Sequence, residues 1–261
     1  MTDLHWTVPV VRWATAPATL SPSTGLDYID PMLRRRLSNL SRMALVAAVA
    51  CLRDPAPGDE ASTKSGEGAH ELPRQQTLHP AVSSTAGAPT GVRMVFASRH
   101  GELRRSTDIL RAISAGQPVS PTAFSLSVMN AMTGVFSIAR HDRSASSAMS
   151  AGPETLGYAL LEGYAQYVSD PTSPVLVVYA DETADPIFGA IQDEVEGGAV
   201  AVLISRNGQG YLTCGMVSGG AVPEGAPCAT QSAALRQTLT HGGAAAWRGA
   251  AGYWTWSWVD A

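Results

Sequence analysis

Residues 146–164, SSAMSAGPETLGYALLEGY, run from small residues through Gly152, Pro153 and Glu154 into an amphipathic stretch. A strand-to-helix turn of this kind is where an α/β enzyme displays a Ser or Cys nucleophile, because a helix N-terminus favours negative charge. Here the tip reads Pro153, Glu154, and neither supplies the thiolate or activated hydroxyl that acyl transfer needs. No GxSxG is present, and Ser146, Ser147 and Ser150 precede the helix without the flanking glycines of a strained elbow. Two readings stay open on the residues alone. One is a helix start in which Pro153 lies in the first turn and the Glu154 carboxylate meets the positive end of the dipole. The other is an independent acyltransferase or hydrolase that uses another group, such as Ser150 or His100.

Other chemistries find less support. The six histidines are scattered and form no HExxH, and the nearest metal-like cluster is SRHGEL with His100 and Glu102, a pattern of ordinary loop contacts. Phosphate-binding GxxxxGK[ST] and strand-linked GxGxxG are absent, so the sequence implies no metal and no cofactor. LRRRL and LRRST place Arg34, Arg35, Arg36, Arg104 and Arg105 near helix starts, which suits either solvated helix faces or a small basic patch for an acidic carrier protein and its phosphate arm.

The chain as a whole bounds these choices. Its 261 residues suffice for one large α/β domain; 45% are hydrophobic, 15% charged, and the net charge of −4 disfavours an electrostatic nucleic-acid binder. No apolar run reaches membrane-spanning length and the N-terminus lacks a signal-peptide pattern, so the expectation is a cytoplasmic protein without a membrane partner. Cys51, Cys214 and Cys228 are an odd set without CxxC spacing and are read as reduced thiols.

The elements that must carry the turn follow from periodicity. TVPVVRW (7–13) reads as a strand; Asp30 and Pro31 open a helix whose stripe of Leu33, Leu37, Leu40, Ala44, Ala47 and Cys51 faces a core, with a break near Ser38. Residues 53–90, rich in Pro, Gly and Ser and containing His70 and His79, read as a long mobile insertion. VRMVFAS (92–98) is a buried strand, and ELRRSTDILRAISAG is a helix ending at Gly116. SPTAFSLSVMNAMTGVFSIAR mixes helical and extended character. After the turn, Leu156, Leu160, Gly163, Tyr164 and Tyr167 share one helix face, and PVLVVYA is a strand of the parallel-sheet type. GGAVAVLISRNGQGYLTCGMVSG predicts a hairpin about Asn207-Gly208 and hence an antiparallel sheet edge, and Trp254, Trp256 and Trp258 alternate as one buried strand face.

FASRHGEL, SPTAFSLSVMNAMTGVFSIAR, SSAMSAGPETLGYALLEGYA, PVLVVYAD and GGAVAVLIS, in this order, resemble the N-terminal half of a β-ketoacyl synthase. More closely they resemble the short ketosynthase-like chain length factors of aryl-polyene pigment clusters, which RRRLSNLSRMAL and the Trp-rich end also fit. The resemblance covers nearly all of the chain outside 53–90. It implies an α/β, thiolase-like (half-ketosynthase) mixed sheet with flanking helices, in a single domain over 1–261.

The resemblance also implies roles. Asn130 would lie near the acyl and dimer region, and either Pro153 or Glu154 would stand where synthases carry the catalytic Cys. The chain ends before the region in which a synthase keeps its two decarboxylating histidines, and His241 lacks that context. The implied function is a non-catalytic subunit that pairs with a full-length β-ketoacyl synthase, works with acyl carrier protein and shapes the tunnel limiting chain length. Asn130, Met149, Gly152, Glu154 and Leu156 are the candidate interface or tunnel residues, and Arg34, Arg35, Arg36, Arg104 and Arg105 the candidate carrier contacts. Half of a two-half fold is expected to leave a broad apolar face for the partner.

Overall fold

Asp30 and Ser38 punctuate the first helical layer. In the computed structural model, which describes residues 3–21, 25–53, 91–191, 197–218, 225–250 and 252–261, Asp30 accepts from the amides of Met32 and Leu33 to start α1 (Pro31–Arg34). Ser38 accepts from the Ser41 amide to start α2 (Asn39–Leu52), so the break falls where the sequence places it. Cys51 is buried on α2 and its thiol is pushed up to about 12, chiefly by burial, which makes it a packing residue. The insertion read from the sequence lies, from 54 to 90, outside the described residues.

Five more helices follow: α3 (Leu103–Ser114), α4 (Pro121–Ser125), α5 (Ala131–Arg140), α6 (Thr155–Ser169) and α7 (Gln231–His241). The ambiguous SPTAFSLSVMN stretch thus becomes α4 and the approach to α5. Among the described residues no helix is long and apolar enough to cross a membrane.

The strands are β1 (Leu4–Pro17), β2 (Arg93–Ala97), β3 (Ser146–Met149), β4 (Val175–Asp181), β5 (Gly198–Ile204), β6 (Gly210–Ser218), β7 (Ala226–Pro227), β8 (Gly243–Arg248) and β9 (Gly252–Asp260). They form one sheet of nine described strands, ordered β3-β2-β4-β5-β1-β6-β9-β8-β7. β2 is parallel to β3 and β4, while β5 is antiparallel to β4. The sheet is therefore mixed, with helices on its faces, as expected.

The expected hairpin is corrected. β5 and β6 do not pair with each other; both run antiparallel to the long β1, β5 along Val10–Pro17 and β6 along Leu4–Val10. The connecting loop steps across β1: the Ser205 and Gln209 amides donate to the Pro9 and Val10 carbonyls at 3.2 and 2.8 Å. Gly208 permits the crossing, since a Cβ there would stand 2.9 Å from the Val10 nitrogen. Asn-Gly favours a tight turn but leaves open which strand lies between its arms. The antiparallel strands accordingly sit inside the sheet, and its edges are β3 and β7.

Two apolar layers hold the fold. One sheet face packs Met94, Phe96, Leu176 and Val178 against α2 and α5. The other packs Val95, Val177, Val202, Leu212 and Cys214 against α6 and α7, with Trp6, Trp254 and Trp256 filling the layer. The Trp alternation predicted for the C-terminal strand is present in β9, where Trp254 and Trp256 are buried and Trp258 is half-buried. On the opposite face of β1, β6 and β9 the Thr7 and Thr213 hydroxyls meet at 2.9 Å, with His5, Gly215 and Thr255 beside them, while Tyr211 and Val259 of the same face stand exposed, so this face is mixed.

Candidate functional site

β2, buried along most of its length and flanked on its other side by the buried β4, holds the shorter β3 in parallel register, and the turn after β3 delivers the chain to α6. Gly152 takes φ +60, the left-handed conformation a tight turn requires. The Thr155 hydroxyl accepts from the Ala151 amide at 2.9 Å and donates to the Gly152 carbonyl at 2.7 Å, closing the turn on the first residue of α6. Pro153 therefore lies ahead of the helix and not in its first turn, a correction to the helix-start reading, and Glu154 is the N-cap residue. Its side chain makes no capping bond, and its buried Oε1 has no hydrogen-bond partner among the described residues.

The turn is locked from two sides. From α7, Gln231 Oε1 accepts the Gly157 amide at 2.8 Å while its Nε2 donates to the Pro153 carbonyl. From β2, the Ser98 amide donates to the Met149 carbonyl at 3.2 Å, and the Ser150 hydroxyl donates to the Arg99 carbonyl at 3.0 Å. Ser150 thus commits its proton to a backbone oxygen.

Beside this loop stands Asp181, fully buried at the end of β4. Its Oδ2 accepts from the Arg99 amide at 2.6 Å and the Tyr179 hydroxyl at 3.2 Å. Its Oδ1 accepts from the Ser98 hydroxyl and the His100 and Glu182 amides, each at 3.2 Å. Burial raises the Asp181 carboxyl above the ordinary carboxylate value, against the opposing Arg99 and His100 amides and the His100 charge.

The predicted residues separate into groups. Met149, Ala151, Tyr158, Leu161, Glu162 and Ala165 line an open hollow of about 330 Å³ along α6. Gly152 and Glu154 stand at the adjoining turn, whereas Leu156 is buried in the α6 core layer. Asn130 is exposed at the start of α5, reached through Met129, whose Cε lies 3.1 Å from where a Gly101 Cβ would be.

The arginines divide as well. Arg34 pairs with Asp27 at 2.8 Å, and Arg105 is half-buried between the Glu102 carboxylate at 3.3 Å and the Arg36 carbonyl at 2.9 Å. Arg35, Arg36 and Arg104 are exposed. Glu102 is a structural carboxylate, since it also accepts from Ser38 and Ser41 hydroxyls at 2.6 and 2.7 Å. Sequence reasoning missed Gln231 and Asp181, because the Gly157 and Pro153 groups that meet Gln231 and the Ser98, Arg99 and His100 groups that meet Asp181 lie more than 70 residues away.

Residues 10–71 and 74–257 match the β-ketoacyl synthase N-terminal domain family. The chain belongs to that family. This ketosynthase-family chain superposes, with TM-score 0.68 and 22% identity, on a chain of a ketosynthase (ApeO) in complex with its chain length factor (ApeC) from Xenorhabdus doucetiae, covering 97% of this chain and 99% of that one. It also resembles the ishigamide ketosynthase/chain length factor, with TM-score 0.50 and 15% identity over 81% of this chain and 66% of that chain. No curated protein sequence matches the chain. The likeness establishes the fold as the thiolase-like fold of ketosynthases.

Proposed function

We propose that the chain is a non-catalytic ketosynthase-like subunit, a chain length factor, that pairs with a catalytic β-ketoacyl synthase. In this reading it shapes the acyl tunnel in aryl polyene or related polyketide or fatty-acid-like synthesis, and the chain forms a single such domain. The observation that carries the reading is the closed β3–α6 turn, held by Thr155 and Gln231, whose tip residues Pro153 and Glu154 carry no thiol where the family resemblance implies the catalytic Cys. The available thiols do not replace it: Cys51 and Cys214 are buried and Cys228 is pushed up by burial, so none sits as a thiolate at a helix start.

Two features support a partner beside the elbow. β3 is an edge strand that pairs only with β2 among the described strands, and an unpaired edge accepts another chain. The other edge, β7, has two residues and ends on Pro227, which cannot extend a ladder. The open hollow next to β3, walled by Met149 and Tyr158, is a tunnel wall that needs a second wall. Two structural neighbours are named as ketosynthase and chain length factor pairs, which supports a ketosynthase as the partner. Exposed Arg35, Arg36 and Arg104 are the proposed contacts for an acidic carrier protein, while Arg34 and Arg105 serve mainly to hold the fold.

The test is co-expression with a candidate ketosynthase, followed by size-exclusion chromatography with light scattering of the mixture and of this chain alone. A stable one-to-one complex is expected. A chain that stays a monomer in the presence of the ketosynthase, and that turns over acyl thioesters by itself, would replace this reading with the independent acyltransferase.

A further inference from the structure

Asp181 and the elbow are joined through four residues of the β2–α3 loop. Among the described residues, Ser98, His100 and Glu182 donate to Asp181 Oδ1, and Arg99 and Tyr179 donate to Oδ2. An ionised carboxylate satisfies such a set, whereas an amide of the same shape would turn an N–H₂ toward a donor whichever way it flips. The shortest bond, 2.6 Å from the Arg99 amide, fixes the residue whose carbonyl receives the Ser150 hydroxyl. The Ser98 hydroxyl, donating to Asp181, itself accepts from the Gly101 amide at 2.8 Å and so sets Gly101, the residue against Met129. The ends of β2, β3 and β4 and the approach to α5 therefore meet at one carboxylate.

We propose that Asp181 is a positioning residue for the elbow: through the Ser98–Gly101 loop it fixes Ser150 and Met129, and with them the wall beside the α6 hollow. Its effect on a product rests on the subunit reading above. Its effect on the elbow does not, and the two are read separately.

The experiment compares wild-type chain, Asp181→Asn and Glu102→Gln by amide hydrogen exchange and by the NMR position of the Arg99 amide proton. Glu102 is the control because it is also a buried, multiply bonded carboxylate, but it holds α2 and α3 and makes no bond to the elbow. Asp181→Asn is expected to move the Arg99 proton upfield and to speed exchange at 98–101 and 149–157 by about tenfold, while Glu102→Gln leaves 149–157 within about twofold of wild type. Equal loosening of the elbow by both variants, or an elbow unchanged in Asp181→Asn, overturns the proposal. Should Asp181→Asn fail to fold, Ser98→Ala removes one donor and the Gly101 link, and it must loosen 149–157 in the same direction or the proposal falls. Pairing with a ketosynthase is measured by chromatography on the same variants, so a chain that never pairs defeats the subunit reading and leaves the elbow result standing.

Discussion

Gln231 holds both ends of the turn that leads into α6, accepting the buried Gly157 amide at 2.8 Å and donating to the Pro153 carbonyl. The Gly157 amide is buried and has no water as a substitute, whereas Pro153 is half-buried. Gln231→Leu leaves that buried amide unpaired, and the expected loss is about 1–3 kcal/mol in urea unfolding. A loss below about 0.5 kcal/mol would mean that the turn closes without α7.

Gly157 faces the indole of Trp254, where a Cβ would come within 2.3 Å of the ring. Trp254 is in turn boxed by Trp6 at 6.2 Å and Tyr158 at 5.1 Å between ring centroids, so it has little room to retreat. Gly157→Ala should destabilise by about 1–3 kcal/mol through overpacking. Trp254→Leu alone is destabilising because it leaves a cavity, but in its background Gly157→Ala should cost much less. Additive costs in the double-mutant cycle would show that the two residues do not compete for the same space.

How far the sequence disclosed this arrangement depended on how local each signal was. Asp30, Pro31 and Ser38 act within one helical turn, so both helix starts and the break between them could be read directly. PVLVVYA showed a buried strand because a strand covered on both faces is apolar throughout, and the ordered segments around the turn pointed to the ketosynthase family. Asn207-Gly208 misled because the local turn signal is silent about β1, which lies about 200 residues earlier and occupies the place between the two arms. Gln231 and Asp181 were invisible for the same reason: each gains its role from backbone groups brought to it by the fold, and a glutamine in QSAALRQ or an aspartate after a strand has many ordinary uses.

The far end of α6 offers a pH test. The Asp170 carboxyl is lowered from 3.8 to about 2, first by the Thr172 hydroxyl and then by the Ser173 hydroxyl and the Thr172 amide. A carboxylate lowered in the folded state contributes stability that is present above about pH 4 and is lost as the pH falls toward 2. The Tm difference between wild type and Asp170→Asn should therefore shrink across that window and stay constant from pH 5 to 7. A difference that grows on acidification reverses the sign and removes Asp170 as its source.

Arg93 closes the same helix end by donating to the carbonyls of Gln166, Asp170 and Ser173 at 2.7, 2.6 and 2.6 Å. Lysine carries the charge but not the planar fork that reaches three carbonyls. Arg93→Lys is expected to cost about 1–2 kcal/mol, near the value of one or two charge-assisted bonds, and to speed amide exchange in the last turn of α6. Exchange there that matches wild type would place the cap elsewhere.

Glu154 joins the elbow to the β8–β9 connection. A Cβ on Gly249 would lie 2.5 Å from the Glu154 Oε1, the same oxygen that has no partner among the described residues. Removing an unpartnered buried oxygen relieves a desolvation cost, so Glu154→Ala should leave the stability of the chain unchanged or raise it by up to about 1 kcal/mol. Gly249→Ala should be destabilising in wild type, where the carboxylate must move, and less so in the Glu154→Ala background, where only the Trp247 ring, 3.0 Å from the added Cβ, still crowds it. If the elbow serves as a wall, Glu154→Ala in a complex with a ketosynthase changes the product-length distribution or the strength of pairing while the partner's own nucleophile stays reactive. Unchanged products together with unchanged assembly would leave Glu154 a packing residue of the turn, and the wall would then have to be sought along Met149, Tyr158 and Leu161.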